Sequence, residues 1–121
     1  MTTQELMDYC LQKKGAYTDC PFGAEPVCAR VEKRIFAEIY LTKPWVTLRC
    51  EPRLALAYRA QYPQAVRRGY HCPPVQQPHK NTVELCGDVP EDVLRAMIDE
   101  SYEDAVRSLS RVARQSLLSE D

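Results

Sequence analysis

The sequence predicts one α+β domain in which helices lie on one side of an antiparallel sheet. Apolar and polar residues alternate over several central segments, which is the period of a strand with one buried face. Apolar residues recur at helical spacing near both ends, and the links between strands are too short for parallel crossovers. The predicted element order is therefore α-β-β-β-α-β-β-α. A chain of 121 residues forms a single core, so residues 1–121 are expected to be one domain.

The first half of the chain predicts one helix followed by a three-stranded meander. Thr2 and Glu5 have the spacing of a capping box, and Gly15 ends the helix that they begin. Phe22, between a proline and a glycine, is expected to pack under the edge of the sheet. In the second strand, alternation places Phe36 on the face opposite to its two neighbours. The strands are predicted at residues 27–31, 35–41 and 45–49.

The second half predicts two helices with a pair of strands between them. Glu51 followed by Pro52 suits a helix start, because proline at the first helical position loses no needed hydrogen bond. Asp88 and Glu91 repeat the capping-box spacing, and helical periodicity then continues to Ala113 as one long helix. The remaining strand is predicted at residues 82–86, with residues 66–70 pairing against it.

Charge is unevenly distributed along the chain. Residues 41–80 carry seven basic side chains against one acid, a net charge of +6, whereas residues 81–121 carry four against ten, a net charge of −6. This asymmetry indicates either an anionic partner or two regions that screen each other in the fold. Convergence of the basic side chains on one face would favour the first interpretation. The overall pI near 6.1 is low for a nucleic-acid-binding domain.

Neither the cysteines nor the apolar segments indicate secretion or a membrane span. No two of the six cysteines have the spacing of a zinc knuckle or a redox pair, so free thiols and no metal site are expected. The first residues lack the pattern of a signal peptide, and no apolar run approaches about 20 residues. A cytoplasmic location is therefore expected, with no membrane association.

The segment from Arg67 to Val83 is the best functional candidate. It contains both histidines and three prolines, which predicts a surface loop. Its basic side chains suit phosphates, its amides suit base edges, and Tyr70 offers a stacking face. The predicted nucleic-acid-binding residues are Arg67, Arg68, Tyr70, His71, Gln76, Gln77, His79, Lys80 and Asn81. The prolines equally suit an extended surface that recognises a protein or a small ligand.

Catalysis is the least supported class. Cys72 beside His71 has the residue types of a nucleophile and a base, but no acid or oxyanion element accompanies them. Together with His79 they would offer three zinc ligands, and a fourth is lacking. The chain has no glycine-rich phosphate cradle and no hydrolase or zinc-protease motif. A non-catalytic protein without a cofactor is expected.

Several short segments, in order along the chain, resemble the MmcQ/YjbR-like family. They are Pro21-Phe22-Gly23, Lys33-Arg34-Ile35-Phe36-Ala37, Leu48-Arg49-Cys50-Glu51-Pro52, Gly69-Tyr70-His71, His79 with Asn81-Thr82-Val83, Gly87-Asp88-Val89-Pro90 and Asp99-Glu100-Ser101-Tyr102. The resemblance implies three strands between helices with a further two-stranded unit. The family is largely uncharacterised, and its fold has been likened to a double-wing DNA-binding arrangement, so DNA binding is implied by fold analogy alone.

The resemblance carries individual positions over at His71, His79, Asn81 and Thr82. The loop between the two histidines is longer here than family members commonly have, and Lys80 stands where they commonly have Trp. The leading hypothesis is a DNA-binding module that uses the Arg67 to Asn81 surface. The alternative is a module that binds a protein or a small ligand, and the oligomeric state stays open.

Overall fold

The computed structural model describes residues 1–119, which form a six-stranded antiparallel sheet and four α-helices. The helices are α1 (Thr3–Leu11), α2 (Pro52–Gln61), α3 (Glu91–Arg107) and α4 (Arg111–Ser119). The strands are β1 (Ala16–Asp19), β2 (Val27–Val31), β3 (Arg34–Tyr40), β4 (Trp45–Arg49), β5 (Val66–Arg68) and β6 (Lys80–Glu84). They lie in the order β1-β2-β3-β4-β6-β5. The predicted α+β class is confirmed.

The strand register gives the two faces of the sheet different chemistry. One cross-strand row consists of Val27, Ile39, Val46, Val83 and Val66. This row packs against the buried side chains of α3, and we call this surface the helix face. Each aliphatic side chain fully buried there contributes about 1.5–3 kcal/mol. The helix face therefore contains most of the hydrophobic core.

The opposite surface is covered by a loop instead of helices. Its central row consists of Cys28, Glu38, Thr47, Thr82 and Arg67, and the next row adds Tyr40, Trp45 and Glu84. Tyr70 packs on this surface against Tyr40 and Trp45, and we name the surface the loop face. Residues 69–76, the segment that carries Tyr70, are called the crossing loop. A face that mixes polar, charged and aromatic side chains is suited to binding more than to a core.

The predicted local signals are confirmed at three boundaries. Thr2 and Glu5 form both hydrogen bonds of a capping box at α1. Glu51 caps α2, because its carboxylate accepts from the Leu54 N–H at 3.2 Å. Residues 32 and 33 both have positive φ, which matches the twist of a two-residue hairpin between β2 and β3.

The expected facing of Phe36 is wrong because β3 contains a bulge. Ala29 pairs with Ala37 while Arg30 pairs with Ile35, so Phe36 is an extra residue in the ladder. Its side chain turns into the core, where its ring meets that of Tyr102 edge to face at 5.3 Å. A bulge depends on packing against the neighbouring elements, which strict alternation does not encode.

Other expectations also fail, and each failure has a tertiary cause. The predicted single C-terminal helix is two, because Ser110 caps a new helix that returns Leu117 to the core. Pro90 is the N-cap residue of α3 and makes no side-chain hydrogen bond, so α3 does not begin with the capping box expected from Asp88 and Glu91. Phe22 is 67% exposed and does not pack under the sheet. The strand β1 was not predicted, and the strand expected at residues 82–86 lies at Lys80–Glu84.

None of the helices within residues 1–119 combines the length and the apolar character that crossing a membrane requires.

Candidate ligand-binding cleft

The crossing loop is held to the loop face by buried hydroxyl groups. The Tyr70 N–H donates to Thr82 Oγ1 at 2.8 Å, and the hydroxyls of Thr82 and Thr47 share a hydrogen bond of 2.7 Å. Both threonines are almost completely buried. Buried polar groups require partners, so this pair of threonines defines where Tyr70 leaves the sheet.

The backbone on either side of Tyr70 is tightly constrained. Gly69 donates its N–H to the Lys80 carbonyl at 3.1 Å, and a Cβ at this glycine would lie 2.6 Å from Cys72 Sγ. His71 has a φ of 55°, in the left-handed region that few non-glycine residues adopt. The turn therefore projects Tyr70 and His71 in defined directions.

Tyr70 completes a cluster of three aromatic rings on the loop face. Its ring packs edge to face against Trp45 at 5.0 Å and against Tyr40 at 5.4 Å, measured between centroids. Two cations lie over the same rings: Arg67 Cζ is 4.2 Å from the Trp45 centroid, and Lys43 Nζ is 5.6 Å from that of Tyr70. The cluster is thus a surface on which positive charge is already stabilised by ring faces.

An open cleft of about 430 Å³ lies beside these rings, and we call it the aromatic cleft. Its principal walls are Phe22, Glu38, Tyr40, Lys43, Tyr70 and His71, and Glu25 also contributes. This volume is in the range of small-molecule sites. Burial, with a smaller effect of Glu38, raises the pKa of Tyr40 to about 12, so its phenol stays neutral.

Two carboxylates supply negative charge to the aromatic cleft. Glu25 accepts hydrogen bonds from the Thr42 hydroxyl at 2.8 Å and the Thr42 N–H at 3.2 Å, which lower its pKa. Glu38 is mostly buried, with 16% of its side chain exposed, and its carboxylate lies 3.6 Å from Lys80 Nζ. Glu25 therefore remains ionised at neutral pH, and Glu38 both lines the cleft and forms an ion pair with Lys80.

The residues predicted to bind nucleic acid separate onto two sides of the sheet. Arg67, Tyr70 and Lys80 lie on the loop face, whereas Arg68 pairs with Asn81 in a row on the helix face. Asn81 is only 3% exposed and donates its side-chain N–H to the Ala55 carbonyl at 3.1 Å. It acts as a structural link to α2 and is not accessible to a base edge.

The remaining members of the predicted set lie at the end of the loop. Gln77 and His79 bound a single turn of 3-10 helix, and Gln76 precedes it. Gln76, His71 and His79 are exposed, whereas Gln77 is half-buried and donates to the Cys72 carbonyl at 3.2 Å. The structure therefore brings Tyr70 and His71 into the aromatic cleft and leaves the glutamines outside it.

Part of the charge asymmetry is screened within the fold. Arg49 pairs with Asp104 of α3 at 2.9 Å, and Arg67 lies 3.4 Å from Glu84. Among residues 1–119, Arg53, Arg59 and Arg68 form no salt bridge. The basic side chains do not converge on one face, since Arg67 and Lys80 lie on the loop face and Arg68 on the helix face, which weakens the argument from charge for a single nucleic-acid interface.

The cysteine and histidine chemistry considered from the sequence finds no geometric support. Burial raises the pKa of the Cys72 thiol, whereas an activated nucleophile requires a lowered one. Within residues 1–119, no group of three or more histidine, cysteine or acidic side chains is placed to hold a metal ion. All six cysteines are free, and three of them, Cys10, Cys28 and Cys50, are buried.

Several cleft residues were not predicted, because they precede the Arg67 to Val83 segment that the sequence indicated as the functional candidate. Glu38 and Tyr40 lie on one face of β3, and Trp45 begins β4 opposite Tyr40. The alternation of β3 already predicted that Glu38 and Tyr40 share one face, and this pattern could have identified them as neighbours on a surface. Phe22 and Lys43 come from separate loops, and only the tertiary fold brings them to the same cleft.

The fold and the cleft define a class: a small α+β protein whose sheet is covered by helices on one face and by a loop with an aromatic cluster on the other. Residues 11–104 match the model of the YjbR family, and the chain belongs to that family. The predicted family resemblance is confirmed.

Known relatives agree with this assignment over nearly the whole chain. The chain is 32% identical over 120 residues to the proteins named Uncharacterized protein YjbR of Escherichia coli K12 and O157:H7, covering 98% of each. The crystal structure of Deinococcus radiodurans DR2400, described as a DUF419 domain, is similar with a TM-score of 0.87 and 25% identity, over 96% of this chain and 87% of that one. A Pseudomonas syringae protein shares the fold with a TM-score of 0.71 and 21% identity, over 87% of this chain and 99% of that one.

Proposed function

We propose that this protein is a non-catalytic binding module that holds a small organic ligand in the aromatic cleft. The observation that carries the proposal is the placement of Tyr70 and His71 beside Tyr40 and Lys43 around an open space of about 430 Å³. A concave site with apolar rings and a few charged groups is the usual form of a small-molecule site. This is the small-ligand alternative that the proline-rich loop suggested from the sequence.

The chemistry of the cleft favours a ligand with a flat ring and a positive charge. The negative faces of the tyrosine rings attract cations, as Lys43 and Arg67 already illustrate. Glu25 and Glu38 add two carboxylates to the lining, where Lys43 is the ammonium, and Lys80 lies outside the lining at 3.6 Å from Glu38. Lys43 is exposed, so a ligand cation can displace it from the rings.

A pair of probes with the same ring and opposite charge tests this proposal. Tryptamine, an indole with an ammonium group, is expected to shift the backbone NMR signals of Tyr40, Tyr70 and His71 at concentrations up to about 10 mM. Indole-3-acetate is expected to bind at least severalfold more weakly, because the carboxylates repel it. If neither probe shifts these signals, or if both bind equally, the proposed ligand chemistry is wrong.

Matched variants assign the binding to the cleft. Glu38→Gln removes one cleft carboxylate and is expected to weaken tryptamine binding severalfold. Glu32→Gln is the control, because Glu32 lies in the hairpin between β2 and β3 and does not line the cleft. Lys43→Gln is expected to strengthen binding, since it removes the cation that competes for the rings. Equal effects of the two glutamate variants would place the binding elsewhere.

DNA binding is the second candidate, and one observation favours it. Arg59 and Arg68 carry positive charge without an acidic partner among the described residues, which suits contact with phosphates. Duplex DNA of mixed sequence should then bind at 50 mM salt and weaken strongly at 200 mM, following the usual counterion release. The double variant Arg59→Ala/Arg68→Ala should weaken it further. Absence of binding at the lower salt concentration would remove this candidate.

A further inference from the structure

A second cleft lies where α2, the end of β5 and the 3-10 turn meet. Its lining includes two guanidinium groups, those of Arg59 and Arg68, together with Leu56, Gln77, Pro74 and Pro78. We call it the arginine cleft, and its volume is about 310 Å³. It is independent of the aromatic cleft, since Arg68 lies in a row on the helix face of the sheet.

Neither arginine is neutralised by the protein. Among residues 1–119, no carboxylate lies within salt-bridge distance of Arg59 or Arg68, and none of the cleft-lining residues is acidic. Two like charges lining one cleft repel each other, and the half-buried Arg59 is also partly desolvated, whereas Arg68 is exposed. An anion bound between them would remove this repulsion and satisfy both groups.

The protein itself satisfies few of the hydrogen-bond donors of the two guanidinium groups. Arg59 Nη1 is inaccessible to solvent and has no hydrogen-bond partner within the described part of the chain. Arg68 Nη1 has one long contact, to Gln77 Oε1 at 3.4 Å. A buried donor without a partner costs about 1–3 kcal/mol, so native structures seldom retain one. Arg59 therefore calls for an acceptor.

The walls of the cleft are stiff. Pro74 and Pro78 lie on the loop side, and the Gln77 side chain is tied to the Cys72 carbonyl at 3.2 Å. Proline has a fixed φ, and a rigid wall reduces the entropy lost when a ligand is bound. The two arginines extend from α2 and β5, so both are placed by regular secondary structure.

We propose that the arginine cleft binds a phosphate group, with Arg59 and Arg68 donating to its oxygens. Guanidinium groups present planar, paired N–H donors that match the oxygens of phosphate, and these charge-assisted hydrogen bonds are strong. The phosphate belongs either to a small molecule or to a nucleic-acid backbone, and the two sources share this chemistry. The cleft is closed on one side by prolines, which suits a terminal phosphate of a small molecule better than a continuous backbone.

Inorganic pyrophosphate is the probe that tests the site. Titration followed by NMR is expected to shift the side-chain Nε–H signals of Arg59 and Arg68 and to leave that of Arg53 unchanged. Arg68→Ala and Arg59→Lys are each expected to weaken binding about tenfold or more, in line with the loss of one charge-assisted hydrogen bond. The lysine variant keeps the charge and the long side chain, so it is expected to remain folded.

Arg53→Ala is the matched control, because Arg53 lies on the same helix with the same charge but does not line the cleft. A control effect equal to that of Arg68→Ala would reduce the binding to general electrostatics and overturn the proposal, as would the absence of arginine shifts. A 20-base-pair duplex titrated in parallel identifies the source. Competition between pyrophosphate and duplex that depends on Arg59 and Arg68 supports a phosphate site used by nucleic acid, whereas pyrophosphate binding alone supports a small-molecule ligand.

Discussion

Replacing Thr82 with valine should release the crossing loop from the sheet while leaving the shape of the core unchanged. Thr82 Oγ1 accepts from the Tyr70 N–H at 2.8 Å and shares a 2.7 Å hydrogen bond with Thr47. Thr82 is fully buried, so both partners stay unpaired as long as the loop remains in place, and only detachment of the loop returns water to the Tyr70 N–H. Two lost hydrogen bonds, each worth about 0.5–1.5 kcal/mol net, and two groups left unpaired predict a loss of about 2–3 kcal/mol in the free energy of unfolding.

Thr82→Ser is the matched control, because it keeps the hydroxyl and removes only a methyl group. We expect it to cost about 1 kcal/mol, the value of one buried methyl group. The double variant Thr47→Val/Thr82→Val should cost less than the sum of the single variants. Removing both hydroxyls leaves neither threonine partner unpaired, so the penalty that the single variants share is counted only once.

Urea unfolding followed by the fluorescence of the single tryptophan measures both the stability and the loop. Trp45 packs 5.0 Å from the Tyr70 ring, so its emission should change in the folded state of Thr82→Val but not in that of Thr82→Ser. For a domain of this size the predicted loss corresponds to a fall in Tm of about 6–12 °C. If valine costs no more than serine, or if the two valine substitutions are additive, the proposed anchoring of the loop through Thr82 is wrong.

Three further predictions concern other parts of the fold. Gly15→Ala should lower the free energy of unfolding, measured in urea, by more than about 1 kcal/mol. The reason is that Gly15 has a φ of 72° and a Cβ there would lie 2.6 Å from Leu117 Cδ1. A variant more stable than the parent protein would contradict this prediction. Ser101→Ala should cost about 2–3 kcal/mol in the same assay. The buried Ser101 hydroxyl donates to the Phe36 carbonyl at 2.5 Å and accepts from the Arg49 N–H at 2.8 Å. A cost below about 0.5 kcal/mol would refute this prediction. The pKa of Glu25 is lowered from 4.5 chiefly by the Thr42 hydroxyl, so its contribution to stability should be present above pH 4.5 and be lost as the pH falls through the lower folded-state pKa. NMR titration of the Glu25 carboxyl should show this lowered pKa and its return toward 4.5 in Thr42→Val, and an unchanged pKa in that variant would refute the assignment.

Local signals in the sequence were sufficient where a few adjacent residues decide the backbone. The capping box at Thr2, the proline after Glu51 and the hairpin between β2 and β3 all depend on contacts within about four residues, and each was predicted. The family resemblance and the α+β class were predicted for the same reason, because hydrophobic periodicity and short motifs can be recognised in one sequence without a structure.

Features that depend on distant partners could not be predicted in this way. The bulge at Phe36 requires packing against Tyr102, and the break before α4 requires a place for Leu117 in the core. The short β1 forms because β2 offers an edge for it, and its own four residues carry little pattern. In each case the local backbone conformation is stabilised by contacts with residues far away in the sequence.

In the Arg67 to Val83 segment, too, local features were predictable from the sequence and tertiary ones were not. The prolines predicted a loop over residues 67–83, and the structure has irregular backbone and one 3-10 turn between β5 and β6, whereas both ends of that range are strands. The contact surface stays a prediction. From the sequence, the basic and amide side chains of this segment were predicted to form one binding surface. In the structure, strand alternation places Arg67 and Arg68 on opposite faces, and Asn81 is buried against α2. The two clefts arise only when Tyr70 meets Tyr40 across the loop face and Arg68 meets Arg59 beside α2, since side chains far apart in sequence become neighbours only after the sheet and helices have packed.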